Sequence, residues 1–278
     1  MANTSIAQFA GIPTSGNPWD PELDKTLIEY LDEKSDFRQF AKVVPVKSFV
    51  QIIPRKWSKG IAVEVVEGAE IPKKRNVYDH FTVTVHANGT GIRITDEEQE
   101  LFLEESDLFQ AEAKSAMDRL ALKENQDAAK VLMAGAGISA TFTSGKLDFE
   151  DILDFKTLMR KQMYGIDPTI LLMSQDKYND LVKDPIFRDY SQSGIGGVLE
   201  TGEIGKKVAG MQIYIIKELE DSVYFLDQTK DPFRIAQYGQ LRTEAYRLSE
   251  TREDVLDIVN YSAPFIARPD AIGEMVIT

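Results

Sequence analysis

The chain has 278 residues, with 45 acidic against 32 basic side chains and no cysteine, which gives a formal net charge of −13. The absence of cysteine excludes disulfides, thiolate metal ligands and cysteine nucleophiles, and a total of two histidines excludes a relay of several imidazoles. The negative charge disfavours binding to phosphate backbones, and no run approaches the ~18 apolar residues that span a bilayer.

The chain is predicted to begin with an extended arm and a short helix. Residues 1–19 are rich in small and polar types, with prolines and a glycine that interrupt any helix. Asp20 and Pro21 fit an N-cap and a first-turn proline. Apolar residues then recur at helical spacing, which predicts an amphipathic helix to about Glu33.

A long hairpin is predicted next. Residues 43–57 have a β pattern. Residues 56–80 are β-prone, but they are interrupted by two glycines and a proline and carry charges of both signs, which favours a hairpin that projects from the body. A return strand with one buried face follows, because Phe81, Val83 and Val85 alternate with polar residues.

Two helices are predicted in the middle of the chain. Thr95 and Glu98 form a capping box, which begins a short acidic helix ending near Glu105. The same signature at Asp107 begins a helix over 107–134 that is about 40 Å long. A loop of small residues is predicted for 135–145.

The second half alternates between helices and strands. Helical spacing begins at Phe149, a buried strand is predicted for 169–174 and a short helix for 175–183. Residues 189–206 contain five glycines and are predicted to form a mobile loop. The remaining predicted strands are 208–216, 222–227, a β region at 234–248, and 255–267 after a charged turn. The mixture indicates an α+β fold without internal repeats.

The motifs give little support for catalysis. Gly135-Ala-Gly follows a helix, whereas a dinucleotide-binding fingerprint follows a strand, and neither a phosphate loop nor a nucleophile elbow occurs. The carboxylates between 96 and 107 could serve acid–base chemistry or bind a divalent cation. A helix distributes such a run around its axis, which favours a solvated or subunit-facing surface instead. We predict no catalytic residue, no metal ion and no cofactor.

A cluster of basic residues stands out in this acidic chain. Lys73, Lys74 and Arg75 are too few, and have too few aromatic neighbours, for a nucleic-acid site. We hypothesise that they dock near the acidic helix of another copy of the chain. The residues expected on that surface are Glu97, Glu98, Glu104 and Glu105.

Four segments together resemble one known family. They are 121–137, which ends in Met-Ala-Gly-Ala-Gly; 167–174, Asp-Pro-Thr-Ile-Leu-Leu-Met-Ser; 209–213, Ala-Gly-Met-Gln-Ile; and 268–272, Arg-Pro-Asp-Ala-Ile. Their order over nearly the whole chain resembles the major capsid proteins of tailed viruses, which have the Hong Kong 97-type fold. The resemblance implies an N-terminal arm, an extended hairpin loop, a peripheral domain with a long spine helix, and an axial domain.

The resemblance also implies domain boundaries. The expected units are an arm with a short helix at 1–45, the extended loop with flanking strands at 46–95, the peripheral domain at 96–135 plus 233–258, and the axial domain at 136–232 plus 259–278. Gly194, Gly196 and Gly197 would lie in the tip loop of the axial domain and adapt it to contacts around five-fold or six-fold axes.

The function implied is that of a major capsid subunit, found in the virion and assembled in the host cytoplasm. The chain would form pentamers and hexamers of an icosahedral shell around double-stranded DNA, without sequence-specific contact to that DNA and without a membrane. A portal protein is implied as a partner. Because Met1 stands almost at the arm, a scaffold would be a separate protein or absent. The turn at 249–257 offers Asp254 and no Asn, so no isopeptide cross-link is expected.

Three alternatives stay open at this point. An encapsulin-like nanocompartment shell would share the fold and enclose an enzyme. A soluble α+β enzyme would use the acidic cluster at 96–107. A tail or adaptor protein would assemble into rings or tubes.

Overall fold

The computed structural model describes residues 21–57, 77–101, 108–162, 165–184 and 207–278. The α-helices in these ranges are α1 (Pro21–Lys34), α2 (Asp96–Leu101), α3 (Leu108–Ala134), α4 (Phe149–Gln162) and α5 (Gln175–Lys183). The strands are β1 (Lys42–Val46), β2 (Val50–Trp57), β3 (Val77–Thr84), β4 (His86–Thr95), β5 (Ile138–Phe142), β6 (Ile170–Met173), β7 (Lys207–Val208), β8 (Met211–Ile215), β9 (Ser222–Leu226), β10 (Phe233–Tyr238), β11 (Arg242–Leu248), β12 (Glu253–Ile266) and β13 (Ile272–Ile277).

The described strands form three sheets. A five-stranded sheet has the order β1-β10-β12-β11, with β4 on the other side of β12. A six-stranded sheet has the order β5-β13-β9-β6-β8-β7. Strands β2 and β3 pair with each other as a two-stranded ribbon.

Helix α3 connects the two larger sheets. Its first half packs Ala116, Met117 and Leu120 against the inner face of the five-stranded sheet, in one cluster with Leu256 of β12. Its second half packs against the six-stranded sheet through a second cluster that includes Leu132. Many of the buried positions are alanines, which allow the helix axis to lie close to both sheets. The predicted helix over 107–134 is therefore confirmed, with Gly135 directly after its last residue.

The six-stranded sheet is covered on both faces. One face of β6 packs Leu171 and Met173 against α4 and α5, and the other packs Ile170 and Leu172 toward α3 and the segment after α1. All four residues of β6 are buried. A continuous apolar run is expected for such a central strand, and the prediction for 169–174 is confirmed.

Several other predictions are confirmed. Helix α1 begins at Pro21, and the return strand buries Val83 and Val85. The capping box forms as expected: the Thr95 amide donates to Glu98 Oε2 at 2.9 Å, and the Glu98 amide donates to Thr95 Oγ1 at 3.2 Å.

The prediction of a loop for 135–145 is wrong, because residues 138–142 form β5. This strand pairs in parallel with β13, where Gly273 lies opposite Ile138 and Ile277 opposite Phe142. Strands β13 and β4 were not predicted either. Each of these strands is stabilised by a partner more than one hundred residues away, a contact that local pattern does not reveal.

The β region predicted for 234–248 is divided into two strands. Both β10 and β11 run antiparallel to β12, but the six residues from Gln237 to Arg242 oppose only the four from Ser262 to Val259. Gly239 takes a positive φ of 69° in this bulge, and Leu241 is fully buried. The bulge therefore turns a side chain into the core at the point where the two strands divide.

Candidate functional site

Two of the motifs that carry the family resemblance contact each other. The Gly137 amide donates to the Pro269 carbonyl at 3.0 Å and to the Ile272 carbonyl at 3.1 Å. A Cβ added to Gly137 would collide with the Pro269 carbonyl, and one added to Gly135 would collide with the Ile266 side chain. Glycine is required at 137 because the end of the connection from α3 to β5 and the turn before β13 pack backbone to backbone, whereas at 135 it makes room for the Ile266 side chain.

The Ala209–Gly210 turn is a third motif, and it packs against α4. Ala209 and Gly210 both have positive φ, 50° and 78°, between the paired residues Val208 and Met211. Two positive φ values are what a two-residue type I′ hairpin turn requires. The buried side chain of Lys156 donates from Nζ to the Ala209 carbonyl at 2.8 Å and so fixes the turn to α4.

A buried polar cluster joins the segment after α1 to α3. Arg38 donates from Nε to Glu124 Oε1 at 2.6 Å and from Nη2 to Glu124 Oε2 at 2.9 Å, and both side chains are almost fully buried. Ser35 donates to Glu124 Oε1 at 3.2 Å, and Asn260 Nδ2 donates to Glu124 Oε2 at 3.5 Å. Burial acts to lower the pKa of Arg38, but Glu124 and Asp32 outweigh it and raise that pKa above its ordinary value.

The two-stranded ribbon presents two apolar side chains to solvent on its outer face. Its inner face packs on the body, where the Phe81 and Phe265 rings lie 5.5 Å apart. On the outer face Val50 is 55% exposed and Ile52 is 64% exposed, and they lie opposite Thr84 and Thr82 of β3. Contiguous exposed apolar residues of this kind mark interaction surfaces in soluble proteins. The apolar residues at 50 and 52 are plain in the sequence, but they were not predicted to form an exposed surface.

The outer face of the five-stranded sheet also has a groove, of about 390 Å³. Gly89 and Gly91 line it on β4, and Asp257 and Tyr261 line it on β12. A Cβ at Gly91 would lie 2.5 Å from Asp257 Oδ1, so the glycine makes room for that carboxylate. The groove was not predicted from the sequence, because the residues that line it come from strands far apart in the chain.

Two carboxylates of the predicted acidic surface are engaged within the chain. Asp96 accepts two hydrogen bonds from Arg247 Nη2, at 2.8 and 2.9 Å. Glu98 accepts from the Thr95 amide and hydroxyl, and these hydrogen bonds lower its pKa. Glu97 is exposed. Within the described ranges, no group of acidic and histidine side chains is arranged to hold a metal ion.

The other predicted site residues lie outside the described residues. They are Lys73, Lys74, Arg75, Glu104, Glu105, Gly194, Gly196 and Gly197. The structure therefore does not test their docking or their place in a tip loop. In the part of the chain that the structure describes, no helix is long and apolar enough to cross a membrane.

Comparisons with known proteins agree on one class of protein. A family model described as "Phage capsid protein" matches residues 81–272, which is more than half of the chain. No curated protein sequence matches.

Solved structures have the same fold at low identity. The capsid of the cyanophage P-SCSP1u has a TM-score of 0.68 at 12% identity, over 86% of each chain. The capsid of the native GTA particle has a TM-score of 0.68 at 14% identity, over 88% of this chain and 90% of that one. The virus-like particle from Pyrococcus furiosus has a TM-score of 0.60 at 11% identity, over 91% and 97%.

The fold is therefore the Hong Kong 97-type capsid fold, as the sequence motifs predicted. The chain belongs to the phage capsid protein family. It is a structural protein of the virion capsid, and the family gives no support to the enzyme alternative.

Proposed function

We propose that the chain is a major capsid subunit that forms pentamers and hexamers of an icosahedral shell around double-stranded DNA. The observation that carries the proposal is the outer face of the β2–β3 ribbon, which a single chain leaves exposed. Burying an aliphatic side chain fully is worth about 1.5–3 kcal/mol. In a shell, every subunit would bury Val50 and Ile52 against a neighbour, so this stabilisation would be repeated for each subunit.

Assembly of two variants tests this interface. We expect Ile52→Asp to abolish shells seen by negative-stain electron microscopy and sedimentation, because a carboxylate cannot be buried in an apolar contact. Leu153→Asp is the matched control, since Leu153 is an exposed apolar residue on α4; it should assemble normally. Normal shells from Ile52→Asp, or equal loss from the control, would contradict a specific role for the ribbon.

We propose further that the basic cluster of the predicted hairpin contacts the acidic surface of another subunit. Lys73, Lys74 and Arg75 would pair with Glu97 and with the acidic residues that follow α2. Asp96 is paired with Arg247 and Glu98 with Thr95, and Glu97 is the exposed carboxylate of the first turn that neither of these contacts engages. Reversing the three basic charges should abolish assembly while the subunit stays folded by circular dichroism. Restoration of assembly by Glu97→Lys in the same chain would identify the partner residue, and unchanged assembly would refute the contact.

The domain division is carried forward as part of the proposal. Residues 96–135 plus 233–258, with α3 as the spine helix, would form the peripheral domain, and residues 136–232 plus 259–278 would form the axial domain, beside an arm at 1–45 and an extended loop at 46–95. Strand β12 passes the predicted 258/259 boundary as one strand of the five-stranded sheet. The glycines at 194, 196 and 197 would lie at the tip of the axial domain and adapt its contacts around the symmetry axes.

The partners proposed are a portal protein, packaged DNA contacted without sequence specificity, and a separate scaffold protein, with assembly in the host cytoplasm. The net charge of −13 supports a container wall that does not adhere to DNA. A nanocompartment shell would share the fold and is the runner-up, which the comparisons do not favour. The contents of purified particles separate the two: nuclease-protected DNA supports the virus, and a single packaged protein supports the nanocompartment.

A further inference from the structure

The chain enters the ribbon through a short turn that an aromatic ring ties to the body. Phe49 lies in this turn, between β1 and β2. Its ring centre lies 4.4 Å from that of Tyr238 and 5.4 Å from that of Tyr261. Phe49 is 47% exposed, so the ring lies on the surface and acts through these two contacts instead of through the core.

The same turn is bonded to the end of the return strand of the ribbon. The Val85 amide, directly after β3, donates to the Phe49 carbonyl at 2.7 Å. Within the turn, the Ser48 hydroxyl donates to the Val50 carbonyl at 2.6 Å. The two ends of the ribbon are therefore joined at Phe49, and whatever fixes Phe49 also fixes the root of the whole ribbon.

A second aromatic contact lies further along the ribbon. The ring of Phe81 on β3 lies 5.5 Å from the ring of Phe265 on β12. Tyr261 and Phe265 are four residues apart on β12, so they lie on the same face of the sheet, about 13 Å apart along the strand. Contact at one point would leave the ribbon free to turn about it, whereas contact at two points fixes its direction.

The surface between these two points contains a polar group that weakens the contact. Gln51 alternates with Val50 and Ile52 and lies opposite Val83, so it belongs to the inner face of the ribbon. Its Oε1 atom is buried and has no hydrogen-bond partner in the described part of the chain. Burying an amide oxygen without a partner is unfavourable. The aromatic contacts must outweigh this cost for the ribbon to stay on the body.

We propose, from the proposed function in which the ribbon joins subunits, that Phe49 is a positioning residue that fixes the ribbon on the subunit before assembly. With Phe49 in place, Val50 and Ile52 are presented to a neighbour in a single direction. Without it the ribbon turns about the Phe81 contact. Each subunit then has to lose that freedom when it joins a shell, which makes association less favourable.

Hydrogen exchange of the unassembled chain tests the role of Phe49. A two-stranded hairpin alone is only marginally stable in water, so the amides of β2 and β3 exchange whenever the ribbon leaves the body. We expect Phe49→Ala to lower their protection about tenfold, because two aromatic contacts are lost. Phe49→Tyr keeps the ring and should keep the wild-type protection. Gln51→Met replaces the unpartnered amide with an apolar side chain of similar size and should raise the protection.

The matched control is Tyr246→Ala. Tyr246 is an exposed aromatic residue on β11, and its hydroxyl donates to Asp257 of the sheet. Its removal should leave the protection of the ribbon unchanged, and the amides of β6 should keep their protection in every variant. The role of Phe49 is refuted if Phe49→Ala does not lower the protection of the ribbon, if Tyr246→Ala lowers it equally, or if β6 loses protection to the same extent.

Assembly of the same variants is measured separately, by light scattering against protein concentration. Phe49→Ala should raise the concentration needed for assembly, and Phe49→Tyr should not. If Phe49→Ala lowers the protection of the ribbon but shells form at the wild-type concentration, Phe49 positions the ribbon and the proposed role of the ribbon in assembly is refuted. Unchanged protection refutes the role of Phe49 whatever the shells show.

Discussion

The six-stranded sheet and the two-stranded ribbon are stabilised in different ways. The sheet is covered on both faces by side chains of its own chain, and β6 is buried throughout. The ribbon is covered on one face, and its other face leaves Val50 and Ile52 largely exposed. A region that buries its apolar surface internally is stable by itself, whereas one that exposes such surface gains stability from a neighbour. The contrast separates the part that holds the subunit's shape from the part that joins subunits.

The sheet should be the most sensitive region to loss of an apolar side chain. Phe155 on α4 is fully buried and its ring lies 4.6 Å from the ring of Phe225. Phe155→Ala should lower the free energy of unfolding by about 3–5 kcal/mol in denaturant titrations of the unassembled chain. Leu153→Ala, on the exposed side of the same helix, should change it by less than about 0.5 kcal/mol. Equal effects of the two would mean that α4 does not cover the sheet.

The buried ion pair should respond differently to single and double substitutions. Glu124→Leu leaves the Arg38 guanidinium buried without its main partner and should destabilise the chain by about 3–5 kcal/mol. Glu124→Leu combined with Arg38→Met should recover most of this loss, because no buried charge is left unpaired. If the double variant is no more stable than Glu124→Leu, the attraction between Arg38 and Glu124 itself stabilises the folded chain.

The capping box should contribute a smaller amount. Thr95→Ala removes the hydroxyl that accepts from the Glu98 amide and should cost about 1 kcal/mol. Thr95→Ser keeps the hydroxyl and should be close to wild type. The pKa of Glu98 is lowered in the folded chain, so its stabilising contribution is present above its unfolded-state pKa and is lost as the pH falls through its folded-state pKa. The cost of Thr95→Ala should therefore diminish at acidic pH. The pH dependence of the two variants' unfolding midpoints measures this.

The ribbon should show the smallest effect on the subunit and a large effect on assembly. Ile52→Ser should change the free energy of unfolding of the unassembled chain by less than about 0.5 kcal/mol, because Ile52 is 64% exposed. The same variant should raise the protein concentration needed for assembly, as measured by light scattering. A large loss of subunit stability with normal assembly would reverse the roles assigned to the two regions.

The helices were the part of the fold most visible in the sequence. Helix α3 has a long apolar periodicity, a capping signature before it and a glycine after it, all of which are local. Strands β5 and β13 were missed because they stabilise each other in parallel across more than one hundred residues. The β5 residues Ser139, Ala140 and Thr141 are small, and a run of small residues after a helix predicts a loop.

The candidate site was less predictable than the fold. The family motifs were recognisable, but their physical basis, such as the contact of Gly137 with the Pro269 carbonyl, depends on distant segments meeting. Dense acidic residues suggested a free surface around α2, yet Asp96 is held by Arg247, which lies 151 positions away. Exposure of Val50 and Ile52 depends on which face of the ribbon packs on the body, and alternation alone does not decide that.

Electron cryomicroscopy of particles assembled from this chain tests most directly whether the ribbon joins subunits. We predict closed shells in which Val50 and Ile52 are buried against a neighbouring subunit. Shells in which both side chains face solvent, or a chain that stays monomeric at every concentration tested, would contradict this prediction.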